Sequence, residues 1–184
     1  RAGTCTWCRG ARFQAESSGA GLTAGSKEEK LGGQVRRFKP RVVALSDASA
    51  AARLRQRCEG LPVEILAGQE GLIQVASAPE AELVISAIVG GAGLVPTLAA
   101  IRSGKQIALA NKEPMVMAGK LMQDEAHRHG VRIFPVDSEH SASFQSLEGH
   151  RKEDVRRLIL TASGGARCTL GRAELQDVTH DQAL

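Results

Sequence analysis

Short apolar runs alternate with longer amphipathic stretches from about residue 41 to the end of the chain. Val42–Leu45 is a continuous apolar run, and Asp47 follows it just before an alanine- and arginine-rich stretch that leads towards Cys58. Apolar runs of this length are typical of buried strands, and an aspartate ahead of an amphipathic stretch is typical of a helix start. The pattern therefore predicts a strand and then a helix that stops at Gly60.

The same alternation continues along the chain. It predicts further strands at 63–66, 83–89, 106–110, 131–136 and 157–162, and further helices at 69–76, 94–102 and 114–129. Gly104 and Gly130 follow the last two helices, where a glycine commonly ends a helix. Strands that alternate with helices of this length form βαβ units and a parallel sheet. The predicted fold class is therefore α/β.

The first part of the chain lacks this pattern. Residues 1–20 contain Gly, Ser, Thr, Cys and Arg without helical or strand periodicity, which predicts a divergent segment that need not be ordered. A dinucleotide-binding domain usually begins with a strand and a Gly-x-Gly-x-x-Gly turn, whose backbone N–H groups hold the pyrophosphate. Glycines occur at Gly19 and Gly21, but we find no convincing strand before them. A domain of this kind would therefore be incomplete at its start.

Two carboxylates follow the predicted strand at 131–136. If the chain stays extended through Val136, Asp137, Ser138, Glu139 and His140, the side chains of Asp137 and Glu139 point to the same side, about 7 Å apart. Two anions held that close require a proton or a cation between them. The carboxyl ends of parallel strands are where open α/β sheets bind ligands, which favours a divalent metal. An ordinary solvated polar loop is the alternative.

Composition narrows the class of protein. The chain of 184 residues is 42% hydrophobic, 24% charged and only 3% aromatic, so its core must consist of Val, Ile, Leu and Ala. The net charge of +4 suits a protein that binds phosphorylated ligands, whereas basic clusters without interleaved aromatic residues argue against nucleic-acid binding. Cys5 and Cys8 form a single Cys-x-x-Cys pair, too little to predict a zinc site. No apolar run is long enough for a transmembrane helix.

Several strings at the ends of predicted strands together carry a family resemblance. They are Ala110-Asn111-Lys112-Glu113, the Val136–His140 string, Ser163-Gly164-Gly165, and the stretch from Ser86 to Ile101 with its glycines at 90, 91 and 93. The chain thereby resembles the 1-deoxy-D-xylulose-5-phosphate reductoisomerases, the NADPH- and divalent-metal-dependent family of the non-mevalonate isoprenoid pathway. The resemblance implies a Rossmann-like NADPH-binding domain at 21–133, followed at 134–184 by the beginning of an α/β catalytic domain.

The resemblance also implies roles for individual residues. Asp137 and Glu139 would bind Mg²⁺ or Mn²⁺, and Lys112 and Glu139 would be the catalytic residues. The substrate, a small sugar phosphate, would contact Lys112, Ser138, Glu139 and Ser163. NADPH would contact Gly25, Ser26, Lys27, Asn111 and Glu113. A homodimer is expected for the full-length enzyme, in a bacterial cytoplasm or in the plastid stroma.

The chain departs from the family pattern in several ways. The family's glycine-rich turn, Gly-Ser-Thr-Gly-Ser-Ile-Gly, is absent, and Lys27 stands where the family usually has Asn. A lysine can still meet a 2′-phosphate as a point charge. Pro114 replaces a Ser, and Ala166-Arg167 replaces Pro-Phe. The family's third metal-binding carboxylate and its flexible active-site loop are expected beyond residue 184.

Two other functions compete with the family reaction. A truncated fragment without catalytic activity is favoured by the missing glycine-rich turn and by the expected position of the third carboxylate. Another Rossmann oxidoreductase, acting on sugar phosphates or semialdehydes, would need a different catalytic string after the strand at 106–110.

Overall fold

The computed structural model describes residues 19–159, 170–176 and 178–179, and these fall into two compact units. The first unit ends at Asp137 and the second begins at Ser138. Cys5, Cys8, Cys168, Ser163 and the predicted strand residues 160–162 lie outside the described residues.

The first unit alternates strands and helices, as the hydrophobic pattern predicts. Its elements, in chain order, are β1 Gly21–Ala24, α1 Glu28–Phe38, β2 Val42–Leu45, α2 Ala48–Arg57, β3 Glu64–Ala67, α3 Gly68–Ala76, β4 Leu83–Ser86, a 3₁₀ turn Gly90–Gly93, α4 Leu94–Arg102, β5 Gln106–Leu109, α5 Glu113–Arg128 and β6 Ile133–Pro135. The second unit contains α6 Ser138–Leu147, a 3₁₀ turn Lys152–Asp154 and α7 Arg172–Leu175.

The strands of the first unit are parallel throughout. Within the described residues they form two three-stranded sheets, in the orders β1-β2-β3 and β4-β5-β6. Leu109 of β5 is in register with Ser86 of β4 on one side and with Pro135 of β6 on the other. The carboxyl ends of these three strands therefore lie at the same level of one sheet edge. The α/β, Rossmann-like fold class is confirmed.

Small aliphatic side chains fill the interior. One cluster is built on β1 and β2 with α1 and α2, and another on β4 and β5 with α4 and α5. The fully buried members include Leu22, Leu31, Val43, Leu45, Leu54, Val84, Ile101, Ile107 and Met122. Because parallel strands are covered by helices on their faces, this aliphatic core is the one that the low aromatic content predicts.

Several element boundaries match the prediction closely. β2 and α4 have the predicted bounds, and Asp47 caps α2 by accepting hydrogen bonds from the N–H groups of Ser49 and Ala50 at 2.8 and 3.1 Å. The N-cap side chain satisfies donors that have no partner inside the helix, which is why an aspartate is a good start signal.

Other expectations are wrong. The strand predicted at 83–89 ends at Ser86, and the strand predicted at 131–136 spans only Ile133–Pro135. Residues 157–159 of the strand predicted at 157–162 are exposed and have no strand structure. The elements β1 and α1 were not predicted at all. β1 buries all four of its residues and so has no alternation, while Gly32 and Gly33 weaken the helical signal of α1.

Helix α5 is a single element, but its backbone departs from helical geometry at one residue. Ala118 has φ −146° and ψ 35°, which are not helical values, so the first turn of α5 is separated from its remainder. Among the described residues, no helix has both the length and the apolar character that crossing a bilayer requires.

Candidate functional site

The candidate site lies where the strands of the second sheet end. Beyond β4 the chain enters the 3₁₀ turn Gly90–Gly93, which we call the glycine turn, and beyond β5 it reaches Asn111 and Lys112. Beyond β6 it reaches Asp137, which is half-buried. Parallel register brings these three segments to one edge, the position at which open α/β sheets bind ligands.

The glycine turn is held by the side chain of Asn111, which is only 7% exposed. The Asn111 amide nitrogen donates to the carbonyl of Ile88 and, at 3.1 Å, to the carbonyl of Gly90. Its Oδ1 accepts the N–H of Glu113 at 3.3 Å. Both amide hydrogens are therefore bonded within the protein. A cofactor contact by Asn111 stays a prediction, and such a contact would use the remaining lone pair of Oδ1.

A side chain would be crowded at two glycines of this turn. A Cβ at Gly93 would lie 3.1 Å from the carbonyl oxygen of Ile88, and a Cβ at Gly91 would lie 3.0 Å from Met117. Gly90 has φ +72°, which glycine adopts without strain. At Gly93 the turn therefore packs against its neighbours as bare backbone, and the methyl group of Ala92 is exposed.

Lys112 and Glu113 follow Asn111 at the start of α5, where both are exposed. Pro114 is buried and lies in the first turn, a position that needs no backbone N–H donor. The replacement of the family's usual Ser by Pro114 is therefore accommodated without loss of the helix start. Lys112 itself lies at the same sheet edge as the glycine turn.

The second predicted cofactor segment follows β1. Gly25, Ser26 and Lys27 form an exposed turn that leads into α1, and no side chain caps that helix. Behind the turn, Arg53 of α2 donates to Glu28 at 2.9 Å. This hydrogen bond holds the pKa of the Glu28 carboxyl below its ordinary value, so Glu28 stays ionised.

The segment from Val136 to His140 does not have the predicted extended conformation. β6 ends at Pro135, Asp137 lies in a bend, and Ser138 is already the first residue of α6. The spacing argument that aligned Asp137 with Glu139 along an extended strand is therefore wrong. Asp137 closes the first unit, whereas Glu139 lies in the first helical turn of the second.

Ser138 and Glu139 come together within the second unit. The Ser138 hydroxyl donates to Glu139 Oε2 at 3.3 Å. Glu139 also lines a cleft of about 870 Å³ between α6 and the following segment, with Ser143, His150 and Arg156 among the other lining residues. Sequence reasoning did not select His150 or Arg156, since neither belongs to a recognisable string.

A complete metal centre is not present among the described residues. No three His, Cys, Asp or Glu side chains in residues 19–159 or in the short described stretches after 170 lie close enough together to hold an ion. Asp137 and Glu139 each carry carboxylate oxygens, the donors that Mg²⁺ and Mn²⁺ prefer, and their binding of a metal stays a prediction.

Comparison with known families gives a consistent result along the chain. Residues 11–119 match the family model of 1-deoxy-D-xylulose 5-phosphate reductoisomerase, and residues 133–184 match the model of the C-terminal domain of the same enzyme. Relatives of that name include one from Geotalea uraniireducens, 52% identical over 163 residues, and one from Chlorobium phaeobacteroides, 55% identical over 164 residues. Each alignment covers 89% of this chain but only 42% and 43% of the relative.

Solved structures of the same enzyme resemble this chain in fold. The Zymomonas mobilis enzyme in complex with NADPH has a TM-score of 0.79 and 41% identity, over 94% of this chain and 45% of that one. A complex with NADPH, fosmidomycin and magnesium has a TM-score of 0.72 and 39% identity, over 89% of this chain and 43% of that one. The chain thus spans less than half the length of the relatives it matches.

Proposed function

The chain belongs to the 1-deoxy-D-xylulose 5-phosphate reductoisomerase family, and we propose that it supplies the cofactor-binding unit and the first part of the metal- and substrate-binding unit for that reaction. The reaction is the NADPH-dependent reductive isomerisation of 1-deoxy-D-xylulose 5-phosphate to 2-C-methyl-D-erythritol 4-phosphate. The carbon skeleton rearranges to an aldehyde, and NADPH when bound supplies the hydride that reduces this aldehyde.

One observation carries the proposal. The glycine turn, the segment Asn111–Lys112 and Asp137 all lie at the carboxyl edge of the β4-β5-β6 sheet, although long helices separate them in sequence. A polar loop with a capping asparagine would explain the residues after β5 by themselves. It does not explain why a glycine-rich turn, a lysine and a carboxylate converge on the same edge.

The cofactor fits the residues present. The backbone of the glycine turn has no side chain at Gly91 or Gly93, where a Cβ would contact Met117 or the Ile88 carbonyl. The exposed members of the turn, Gly91 and Ala92, carry at most a methyl group, and such a small surface suits a flat nicotinamide or ribose ring. Gly25, Ser26 and Lys27 would bind the 2′-phosphate end of NADPH, with Lys27 supplying the positive charge. Asn111 and Glu113 would contact the cofactor near its nicotinamide end.

We propose that this chain supplies two carboxylates of a larger set of metal ligands. Asp137 and Glu139 would hold Mg²⁺ or Mn²⁺, which when bound polarises the substrate carbonyl as a Lewis acid. Lys112, at the same edge as Asp137, would bind the substrate and offset its negative charge. Ser138 and Ser163 would donate hydroxyl hydrogen bonds to the substrate. The catalytic roles fall on Lys112 and Glu139.

The small-molecule partner is therefore a phosphorylated ketose, and we propose a homodimer for the full-length enzyme. We place that enzyme in a bacterial cytoplasm or, in an organism with plastids, in the plastid stroma. The positive net charge of +4 supports attraction of a phosphorylated substrate and cofactor.

The 184 residues by themselves are proposed to have negligible turnover. Relatives are more than twice as long, and the described residues contain no three-ligand metal group. We therefore propose that cofactor binding and turnover, which the full-length enzyme combines, are separated in this chain. We expect the first to survive in this chain and the second to be lost.

A paired assay tests both parts. NADPH fluorescence titrated with the chain measures cofactor binding, and absorbance at the NADPH band with substrate and Mn²⁺ measures turnover. We expect saturable binding with no oxidation above the background rate. Failure to bind NADPH overturns the cofactor assignment, and a near-normal oxidation rate overturns the assignment of the chain as catalytically incomplete.

A further inference from the structure

Two buried hydroxyl groups lie directly behind the glycine turn. Ser86 is the last residue of β4 and Thr97 lies in the second turn of α4, and each is 2% exposed. The two oxygens are 2.7 Å apart, and Thr97 Oγ1 donates to the carbonyl of Gly93 at 2.6 Å. We call Ser86 and Thr97 the hydroxyl pair.

The direction of these hydrogen bonds follows from proton counting. A threonine hydroxyl has one proton, and the carbonyl of Gly93 can only accept. The Thr97 proton is therefore given to Gly93, and Ser86 must be the donor to Thr97. The result is a directed chain from the end of β4, through α4, to the last residue of the glycine turn.

The backbone of Ser86 extends the same connection to β5. The Ser86 carbonyl accepts the N–H groups of Ala110 and Asn111 at 2.9 and 3.3 Å. Asn111 in turn bonds the Ile88 and Gly90 carbonyls at the front of the turn. The glycine turn is thus held from its first residue by Asn111 and from its last residue by Thr97.

Packing alone does not require hydroxyls at these positions. The surrounding cluster is aliphatic, with Leu98, Ile101 and Ile107 among its members, and buried valine and alanine would match it. Burying a polar group costs free energy unless it is fully hydrogen-bonded, so two such groups in a core indicate a specific geometric constraint. The constrained feature here is the carbonyl of Gly93.

We propose that Thr97, supported by Ser86, is a positioning residue for the dinucleotide cofactor, because it fixes the glycine turn in the conformation that accepts the cofactor. The inference rests on the proposed function, since it assumes that the glycine turn binds NADPH. Thr97 acts from behind the turn and is not expected to touch the cofactor.

Four variants of the full chain test the inference: Thr97→Val, Thr97→Ser, Ser86→Ala and the double variant Ser86→Ala with Thr97→Val. The hydrogen–deuterium exchange rates of residues 88–93 measure how stably the turn is held. The exchange rates of β2 measure the stability of the rest of the fold. NADPH fluorescence gives the dissociation constant. All measurements are made well below each variant's unfolding temperature.

Thr97→Val should accelerate exchange in 88–93 and raise the NADPH dissociation constant, each by about tenfold, because it leaves the buried Ser86 hydroxyl without its acceptor and removes the side-chain hydrogen bond to the Gly93 carbonyl. β2 should exchange as in the parent chain. Thr97→Ser should restore both values. Ser86→Ala should have a smaller effect than Thr97→Val, because Thr97 still bonds Gly93, and the double variant should be no worse than Thr97→Val alone.

Three results overturn the inference. The first is an unchanged NADPH affinity in Thr97→Val. The second is acceleration of exchange to the same extent in β2 as in 88–93, which indicates a general loss of stability. The third is a loss of affinity that Thr97→Ser fails to restore. Failure of the parent chain to bind NADPH is a different outcome, which removes the proposed function itself and with it the cofactor to be positioned.

Discussion

The guanidinium of Arg102 donates to the carboxylate of Glu125 at 2.8 Å, joining the end of α4 to the last third of α5. The Glu125 side chain is only 6% exposed, and Arg128 at the end of α5 and His129, the C-cap residue, also face it. The hydrogen bond from Arg102 is the largest cause that holds the pKa of the Glu125 carboxyl below its ordinary value.

Glu125→Gln should therefore lower the melting temperature at neutral pH. A carboxyl whose folded pKa is lowered stabilises the protein above its unfolded pKa, about 4.3, and this contribution is lost as the pH falls through the folded value. The difference in melting temperature between parent and variant should shrink as the pH is lowered below about 4. Calorimetry across a pH series measures this.

Asp124→Asn provides the matched control. Asp124 is the neighbouring carboxylate, half exposed at 51%, and it pairs with Lys120 at 2.9 Å on the helix surface. Solvent and salt screen such a pair, so the control should change the melting temperature little. Equal changes in melting temperature for the two substitutions would contradict a larger stabilising role for the buried Glu125 carboxylate.

Asp47→Ala should destabilise the chain by about 1 kcal/mol, because the cap of α2 is lost and two backbone N–H groups lose their acceptor. Asp47→Asn keeps an oxygen acceptor at the same position and should stay close to the parent. Urea denaturation measures the free energy of unfolding of both variants. If the two variants are equally destabilised, the charge and not the cap is responsible.

Two adjacent glycines of α1 should respond differently to alanine. Gly33 is exposed and a Cβ there meets nothing within 4 Å, so Gly33→Ala should stabilise the chain by up to about 1 kcal/mol through helix propensity. A Cβ at Gly32 would lie 3.3 Å from Cδ1 of the fully buried Leu54. Gly32→Ala should therefore gain less or lose stability. The melting temperatures of both variants test this difference. An equal increase in both would show that a methyl group fits between α1 and α2 at Gly32.

Lys27→Ala should raise the dissociation constant of NADPH about tenfold, since a hydrogen bond to a charged group contributes ~1.5 kcal/mol, and should leave the affinity for NADH unchanged. The reason is that only NADPH carries the 2′-phosphate. Fluorescence titration with both cofactors measures the ratio. Lys27→Asn, which restores the family's usual residue, should retain most of the preference.

Lys39→Ala is the control for this charge change. Lys39 is the same residue type at the opposite end of α1, an 11-residue helix about 16 Å long. Removing it changes the net charge equally without approaching the turn at Gly25. A matching loss of NADPH affinity would show that Lys27 acts through net charge alone.

The sequence carried enough information to predict α/β topology because each buried strand and its capped helix leave a local pattern. β2, Asp47 and α4 are examples. β1 was missed because its four residues are all buried and only Leu22 is large and apolar. The extended conformation predicted for Asp137 and Glu139 was wrong because α6 begins at Ser138, and no breaker separates it from β6.

The hydroxyl pair could not be predicted from sequence either. Ser86 and Thr97 are 11 positions apart, and each is an ordinary residue in its own element. Only the packing of α4 against the end of β4 brings them together. By contrast, the string Asn111-Lys112-Glu113 is recognisable in the sequence, and the roles assigned to it stay predictions. The hydrogen bonds of the Asn111 amide within the protein are visible only in the structure.

The non-helical backbone at Ala118 divides α5 into a proximal and a distal segment, and each segment has its own attachment. The distal segment is fastened to α4 through Glu125, whereas the proximal turn, which follows Lys112, is fastened to the sheet through Asn111. The break at Ala118 thus separates the turn that follows Lys112 from the part of α5 that is joined to α4.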